Sequence, residues 1–178
     1  MEEKKLLEAT LGFLVKDEFV WLSMKKRKIG AGCYNGYGGG IEKGDKNLIE
    51  ALKREVKQEC GVLISEKGLA KMAIIDFHNT TSKGETFVAK VHVFLIKNWS
   101  GEPQETDEMG SPTKFAINNL PFEKMMPADK EWLTLVLEGK KIIAEYYYGP
   151  FQKELIKEGE IKEVKNFPEN LSGEFKIH

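Results

Sequence analysis

Glu55 and Glu59 stand four residues apart in KREVKQEC, shortly after YNGYGGGIEKGD, a stretch that puts five glycines into twelve positions. On a helix, residues at that spacing share a face, so the two carboxylates project together. Like charges so placed repel by a few tenths of a kcal/mol. Spacing alone leaves two readings open. One is a solvated helix face, in a chain of which 31% is charged. The other is a pair of ligands for a divalent cation, whose charge reverses the sign of the interaction. The glycines favour the cation. Each costs more backbone entropy on folding than any other residue, so a cluster marks backbone that needs unusual dihedrals or close approach to another group. Such backbone can offer carbonyl oxygens to a metal and come close to a diphosphate. Two familiar phosphate loops do not fit: Gly44 is followed by Asp45 rather than by Lys and Ser or Thr, and Ile41 stands where a dinucleotide fingerprint needs its third glycine.

The helix that carries the glutamates is marked at both ends. Asn47 with Glu50 three residues on forms a capping box, and Gly61 is placed for a left-handed C′ residue, so the helix is predicted over roughly Leu48 to Cys60. Leu48, Leu52, Val56 and Cys60 make its buried stripe. Ahead of it, ATLGFLVKDEFVWLSM reads as a hairpin turning at Lys16 to Glu18, and LAKMAIIDF with TFVAKVHVFLI as a second strand pair. TKFAI is a further strand; DKEWLTLVLEGK is a second helix stopped at Gly139; KIIAEYYYG and KELIKEGEIKEV are late strands. Helices and strands alternate too irregularly for a doubly wound parallel sheet, which leaves a sheet-based α/β or α+β domain.

With 178 residues, 41% of them hydrophobic, the chain supports one domain, placed at residues 1–164, and a polar tail at 165–178. The net charge of −1 supplies no field for a nucleic acid polymer, so a highly anionic small ligand needs local lysines or a metal. Cys33 and Cys60 lack metal-ligand spacing and suit a reducing compartment. The first residues, MEEKKLLEAT, lack the apolar run of a signal peptide, and nowhere do about 18 apolar residues run together. The expectation is a cytoplasmic monomer without a membrane association. His78, His92 and His178 form no ligand cluster.

GGIEKGD through REVKQECGV resembles the signature of the Nudix hydrolases: Gly, five residues, Glu, seven residues, then Arg-Glu-aliphatic-x-Glu-Glu-x-Gly-aliphatic. Gly39, Arg54, Glu55, Val56, Glu59, Gly61 and Val62 match. Asp45 replaces the first glutamate, eight residues rather than seven separate it from Arg54, and Gln58 replaces the first of the paired glutamates. From about Thr10 to Val164 the chain is similar to the MutT-homologue subgroup, through MKKRKIGAGCYNGYGG, VHVF, ETDEM, LPFEKMMPADKEW and YYYG. The resemblance implies an α/β fold, the Nudix α/β/α sandwich around a mixed sheet. It also implies Mg²⁺-dependent hydrolysis, with Mn²⁺ as the alternative ion, of oxidised purine nucleoside triphosphates such as 8-oxo-dGTP to monophosphate and pyrophosphate.

Roles follow residue by residue. Glu59 is expected as metal ligand, and Glu55 as second ligand or as the group that orients or deprotonates the attacking water. Gly39 would add a backbone carbonyl. Arg54 completes the catalytic group, holding the loop against the helix rather than touching substrate. Glu108 matches an acid near the metal, or is a solvated loop residue. Gln58 can coordinate through its amide oxygen but contributes no charge. That departure keeps open a catalytically impaired nucleotide-binding sensor, beside a hydrolase of another nucleoside diphosphate derivative. Asn35 suits a purine edge, or is a left-handed turn residue. Asp129 is either a base reader or the N-cap of the second helix. Where the subgroup has a tryptophan and two aspartates, this chain has Met126, Ala128 and Asp129. Thr10, Lys25 and Ile29 match positions lining the same pocket, though Thr10 and Ile29 are as readily explained by packing.

Overall fold

The structure, a computed structural model, describes residues 5–168. Strands β1 (Glu8–Lys16) and β2 (Phe19–Met24) form the first hairpin, and Asp17 and Glu18 both take positive φ at its turn, the primed geometry that matches strand twist. β3 (Tyr34–Asn35) and β4 (Tyr37–Gly40) precede helix α1 (Leu48–Cys60). After the short β5 (Leu63–Ile64) come the long antiparallel pair β6 (Leu69–Thr80) and β7 (Thr86–Ile96), then β8 (Trp99–Ser100) and β9 (Thr113–Ala116). Helix α2 (Asp129–Leu137) leads into β10 (Ile142–Pro150) and β11 (Leu155–Glu163). Nine strands build one mixed sheet in the order β11-β10-β6-β7-β1-β2-β3, with β4 on β1 and β9 on β2. The β1–β7 and β10–β6 pairs are parallel.

Alternation along the strands sends side chains to two cores, one on each face. Phe13, Val93, Leu95, Ile142 and Tyr146 pack with Trp132, Leu133 and Val136 of α2. Their neighbours Leu14, Phe94 and Ile96 pack with Leu48, Leu52, Val56 and Cys60 of α1. The result is helix, sheet, helix, in which each helix buries one apolar stripe.

Helix α1 has the predicted bounds: Asn47 Oδ1 accepts from the Glu50 amide at 2.9 Å, and Gly61 closes the helix at φ 80° with its N–H on the Lys57 carbonyl. The second helix departs from the sequence reading at its start. The cap falls on Ala128, whose side chain makes no capping bond, and Asp129 is already helical. The glycine segment departs further. Tyr37–Gly40 is a strand paired antiparallel to β1, with Thr10 opposite Gly39 and Leu11 opposite Gly38. None of Gly36, Gly38, Gly39 and Gly40 has a positive φ, so close approach is what requires them. A β-carbon at Gly38 would lie 2.0 Å from the Thr10 carbonyl oxygen. Of the predicted tail, residues 165–168 carry no regular structure and the rest lies outside the described residues.

Candidate active site

Because β4 presents bare backbone to α1, the helix carboxylates can lie on it. A β-carbon at Gly39 would stand 2.7 Å from the carboxyl carbon of Glu55 and 2.7 Å from its Oε2. One turn on, Glu59 is 6% exposed and its Oε2 accepts from the Gly38 amide at 2.8 Å. Burial pushes its carboxyl up to about 7, against the pull of the Gly38 N–H and the Lys25 ammonium, while Glu55 and Glu108 push the same way as burial. Burial lowers the Lys25 pKa, and Glu59 is the strongest group opposing that, so Lys25, Glu55, Glu59 and Glu108 form one electrostatic cluster. Glu108 reaches it from the loop before β9, paired with Arg27 at 3.1 Å and Lys28 at 3.9 Å.

Arg54 ties this cluster to the loop before α1. Its Nε and Nη2 hold Asp45 at 3.0 and 2.8 Å, and Nη2 also donates to the Gly40 carbonyl at 2.9 Å. Nη1 donates to Glu55 Oε1 at 2.5 Å and to Gln58 Oε1 at 3.3 Å. Glu55 therefore has Oε1 on Arg54 while its whole carboxylate lies over Gly39, with Oε2 the nearer oxygen. Gln58 itself is exposed.

A second group surrounds Asp129. This carboxyl is 5% exposed, accepts from the Met126 amide at 3.1 Å and from the Trp132 indole N–H at 3.1 Å, and is raised to about 7, burial outweighing both donors. Ala128 donates its amide to the Tyr148 hydroxyl at 3.0 Å, which fixes the segment just before it. Burial raises the Cys33 pKa, Asp129 adds to that and Lys25 opposes it, and Gly30 lies against the side chains of Lys25 and Met126. The segment from Lys25 to Cys33 thus joins the carboxylate cluster to the Asp129 pocket.

Ile29 is 38% exposed, on the outside of that segment. Asn35 is extended rather than left-handed, and its Oδ1 accepts from the Gly36 amide at 2.8 Å. Thr10 pairs with Gly39, so its side chain is on the α1 face of the sheet, with Glu55, while Asp129 belongs to the α2 face. Its buried hydroxyl has no hydrogen-bond partner. Sequence reasoning passed over Cys33, Trp132 and Tyr148 as pocket residues, because an unpaired cysteine and two core aromatics carry no spacing signal. A cleft of about 430 Å³ on the outer flank of α1, lined by Lys46, Lys53 and Lys57, includes neither Glu59 nor Asp129.

Among the described residues no three His, Cys, Asp or Glu side chains group closely enough to hold a metal by themselves. The donors present still suit a hard cation that takes one or two carboxylates and fills its other positions with water or substrate phosphate. Two glutamates lie against backbone whose glycines leave room for nothing larger.

A helix with paired carboxylates lies over a glycine strand inside an α/β/α sandwich. The NUDIX domain matches residues 7–136, and the chain belongs to the Nudix family. It is 37% identical over 167 residues to the oxidized purine nucleoside triphosphate hydrolase of Danio rerio, covering 93% of this chain and 99% of that protein. It is 31% identical over 158 residues to the Mus musculus protein of the same name, covering 89% and 96%. The crystal structure of the mutator MutT protein from Bacillus halodurans shares the fold with a TM-score of 0.71 at 22% identity, covering 88% of this chain and 97% of that one. No helix among the described residues is long and apolar enough to cross a membrane.

Proposed function

We propose that this protein hydrolyses oxidised purine nucleoside triphosphates such as 8-oxo-dGTP to the monophosphate and pyrophosphate, as a cytoplasmic monomer that clears damaged nucleotides. The observation that carries the reading is the approach of the two groups: Glu55 and Glu59 on the bare backbone of β4, and the buried Asp129, with the Lys25 to Cys33 segment between them. The two relatives that match nearly their whole lengths carry that activity in their names.

Glu55, Glu59 and the Gly39 carbonyl would hold the metal, with Glu108 beside them. When bound, Mg²⁺ or Mn²⁺ offsets phosphate charge and lowers the pKa of water. Arg54 occupies Glu55 Oε1, which leaves Oε2 to orient or deprotonate the attacking water. Lys25, beside the carboxylate cluster, would meet the phosphate chain. Asp129 reads the base edge: ionised, it accepts from the N–H donors of a guanine-type base. With Ala128 beside it there is no second carboxylate to share a proton, so specificity should be narrower than where two acids adjoin.

The test is a panel of oxidised and plain nucleotides incubated with Mg²⁺ and resolved by chromatography. Monophosphate and pyrophosphate are expected, with the oxidised guanine triphosphate preferred; orthophosphate as the primary product rules the proposal out. Tight nucleotide binding without turnover would favour the sensor, for which Gln58 is the specific observation.

A further inference from the structure

A guanidinium has five N–H groups, and each one of Arg54 has a named acceptor. Nε takes Asp45 Oδ1, Nη2 takes Asp45 Oδ2 and the Gly40 carbonyl, and Nη1 takes Glu55 Oε1 and Gln58 Oε1. The last acceptor is the residue at which the signature would have a glutamate. Its amide oxygen lies 3.3 Å from Nη1, across one turn of α1.

We propose that Gln58 is a positioning residue and not a metal ligand: by taking the fifth N–H of Arg54, it keeps the other Nη1 hydrogen on Glu55. A carboxylate at position 58 would compete with Glu55 for that nitrogen through a charge-assisted bond. An amide accepts without competing. Glu42, at 3.4 Å from Nη1 but 65% exposed, is a screened and weaker rival. Glu55 is thereby held with Oε1 on Arg54 and its carboxylate over Gly39, Oε2 nearer, the kind of orientation a ligand takes from its outer shell. The departure from the signature then sharpens the aim of one glutamate while omitting the charge of another. The inference rests on the reading of Glu55 as a residue that serves the metal.

The experiment is a crystal structure of the full chain loaded with Mn²⁺, together with a cycle of Gln58→Met, Arg54→Lys and the double variant. The methionine keeps length and charge while removing the acceptor. Gln58 Oε1 should remain on Arg54 and outside the coordination shell of the ion. Gln58→Met should weaken calorimetric Mn²⁺ binding by about 2- to 10-fold, the scale of one net hydrogen bond. The metal concentration for half-maximal rate should rise in step. Where Arg54 is already Lys, Gln58→Met should have no further effect. A Gln58 oxygen on the ion, or the same loss in both backgrounds, overturns the proposal. If Mn²⁺ does not bind at Glu55 and Glu59, the metal reading itself fails. Thermal unfolding of the four metal-free proteins then decides Gln58, coupled shifts supporting its bond to Arg54 and additive shifts refuting it.

Discussion

Arg54 and Asp45 are joined by two parallel hydrogen bonds, Nε to Oδ1 at 3.0 Å and Nη2 to Oδ2 at 2.8 Å. The pair bridges nine positions of sequence, closes the loop between β4 and α1, and holds the Asp45 carboxyl below its ordinary range, the Arg54 hydrogen bonds being the largest cause. The shorter acid and the extra residue before Arg54 therefore still yield a closed loop, because a guanidinium fork and a carboxylate match in geometry.

Arg54→Lys should break that fork, since an ammonium cannot serve Asp45, Gly40 and Glu55 together. A loss of about 1.5 to 3 kcal/mol is expected, the range for hydrogen bonds to charged groups. The depressed Asp45 pKa contributes stability present above its unfolded value near 3.8 and lost as pH falls through the folded value. Melting curves from pH 3 to pH 8 should accordingly show the deficit of the variant shrinking towards the acid end.

Glu59→Gln is expected to lower turnover by at least about 100-fold, the scale of a major electrostatic contribution to the transition state. Its carboxyl is raised by burial to about 7, so the charge costs stability that is fully retained below the unfolded pKa and lost as pH rises through 7. The variant should then melt no lower than the parent at pH 8 while being nearly inactive. An unchanged rate would move the metal site elsewhere.

Gly38 and Gly39 should fail differently when each becomes alanine. At Gly38 the new methyl meets backbone, 2.0 Å from the Thr10 oxygen, and the strand pair must shift; a loss of roughly 1 to 3 kcal/mol or more is expected in melting experiments. At Gly39 it meets the Glu55 carboxyl at 2.7 Å, the movable end of a side chain. Gly39→Ala should keep most of its stability and lose activity and metal affinity, measured by kinetics and calorimetry.

Asp129 carries the pH prediction. With its carboxyl at about 7, catalytic efficiency towards an oxidised guanine triphosphate should rise with pH through that value, as the ionised acceptor forms. Asp129→Asn should remove its own share of this limb, Glu59 at about 7 keeping the rest, and cost roughly 10- to 1,000-fold in efficiency, on the scale of mispairing a buried polar contact. Because the folded state holds the proton more tightly, stability falls from about pH 4 to pH 7, and the variant should lose that fall in thermal unfolding. If efficiency holds and only the melting temperature drops, Asp129 merely anchors the segment before α2.

Local chemistry wrote much of this protein. Asn47, Glu50 and Gly61 bounded α1, its apolar stripe fixed which face was buried, and the remaining face had to carry Glu55 and Glu59 together. The hairpin turn, the β6–β7 pair and the last two strands were equally legible, because their signals are periodic and close in sequence. Long-range facts were not. Nothing in YNGYGGG says that its final residues are a strand beside β1, since glycine carries no strand preference and its partner lies nearly thirty positions away. Parity along β1 assigned Thr10 to the Glu55 side of the sheet, which no local signal around Thr10 could decide. Burial raised Asp129 and Glu59 to about 7, and burial is a property of what the other elements bring. The sequence by itself determined which groups could do chemistry and on which helix face they stood. Only the tertiary structure decided which of them meet, because contacts and desolvation arise from segments far apart in the chain.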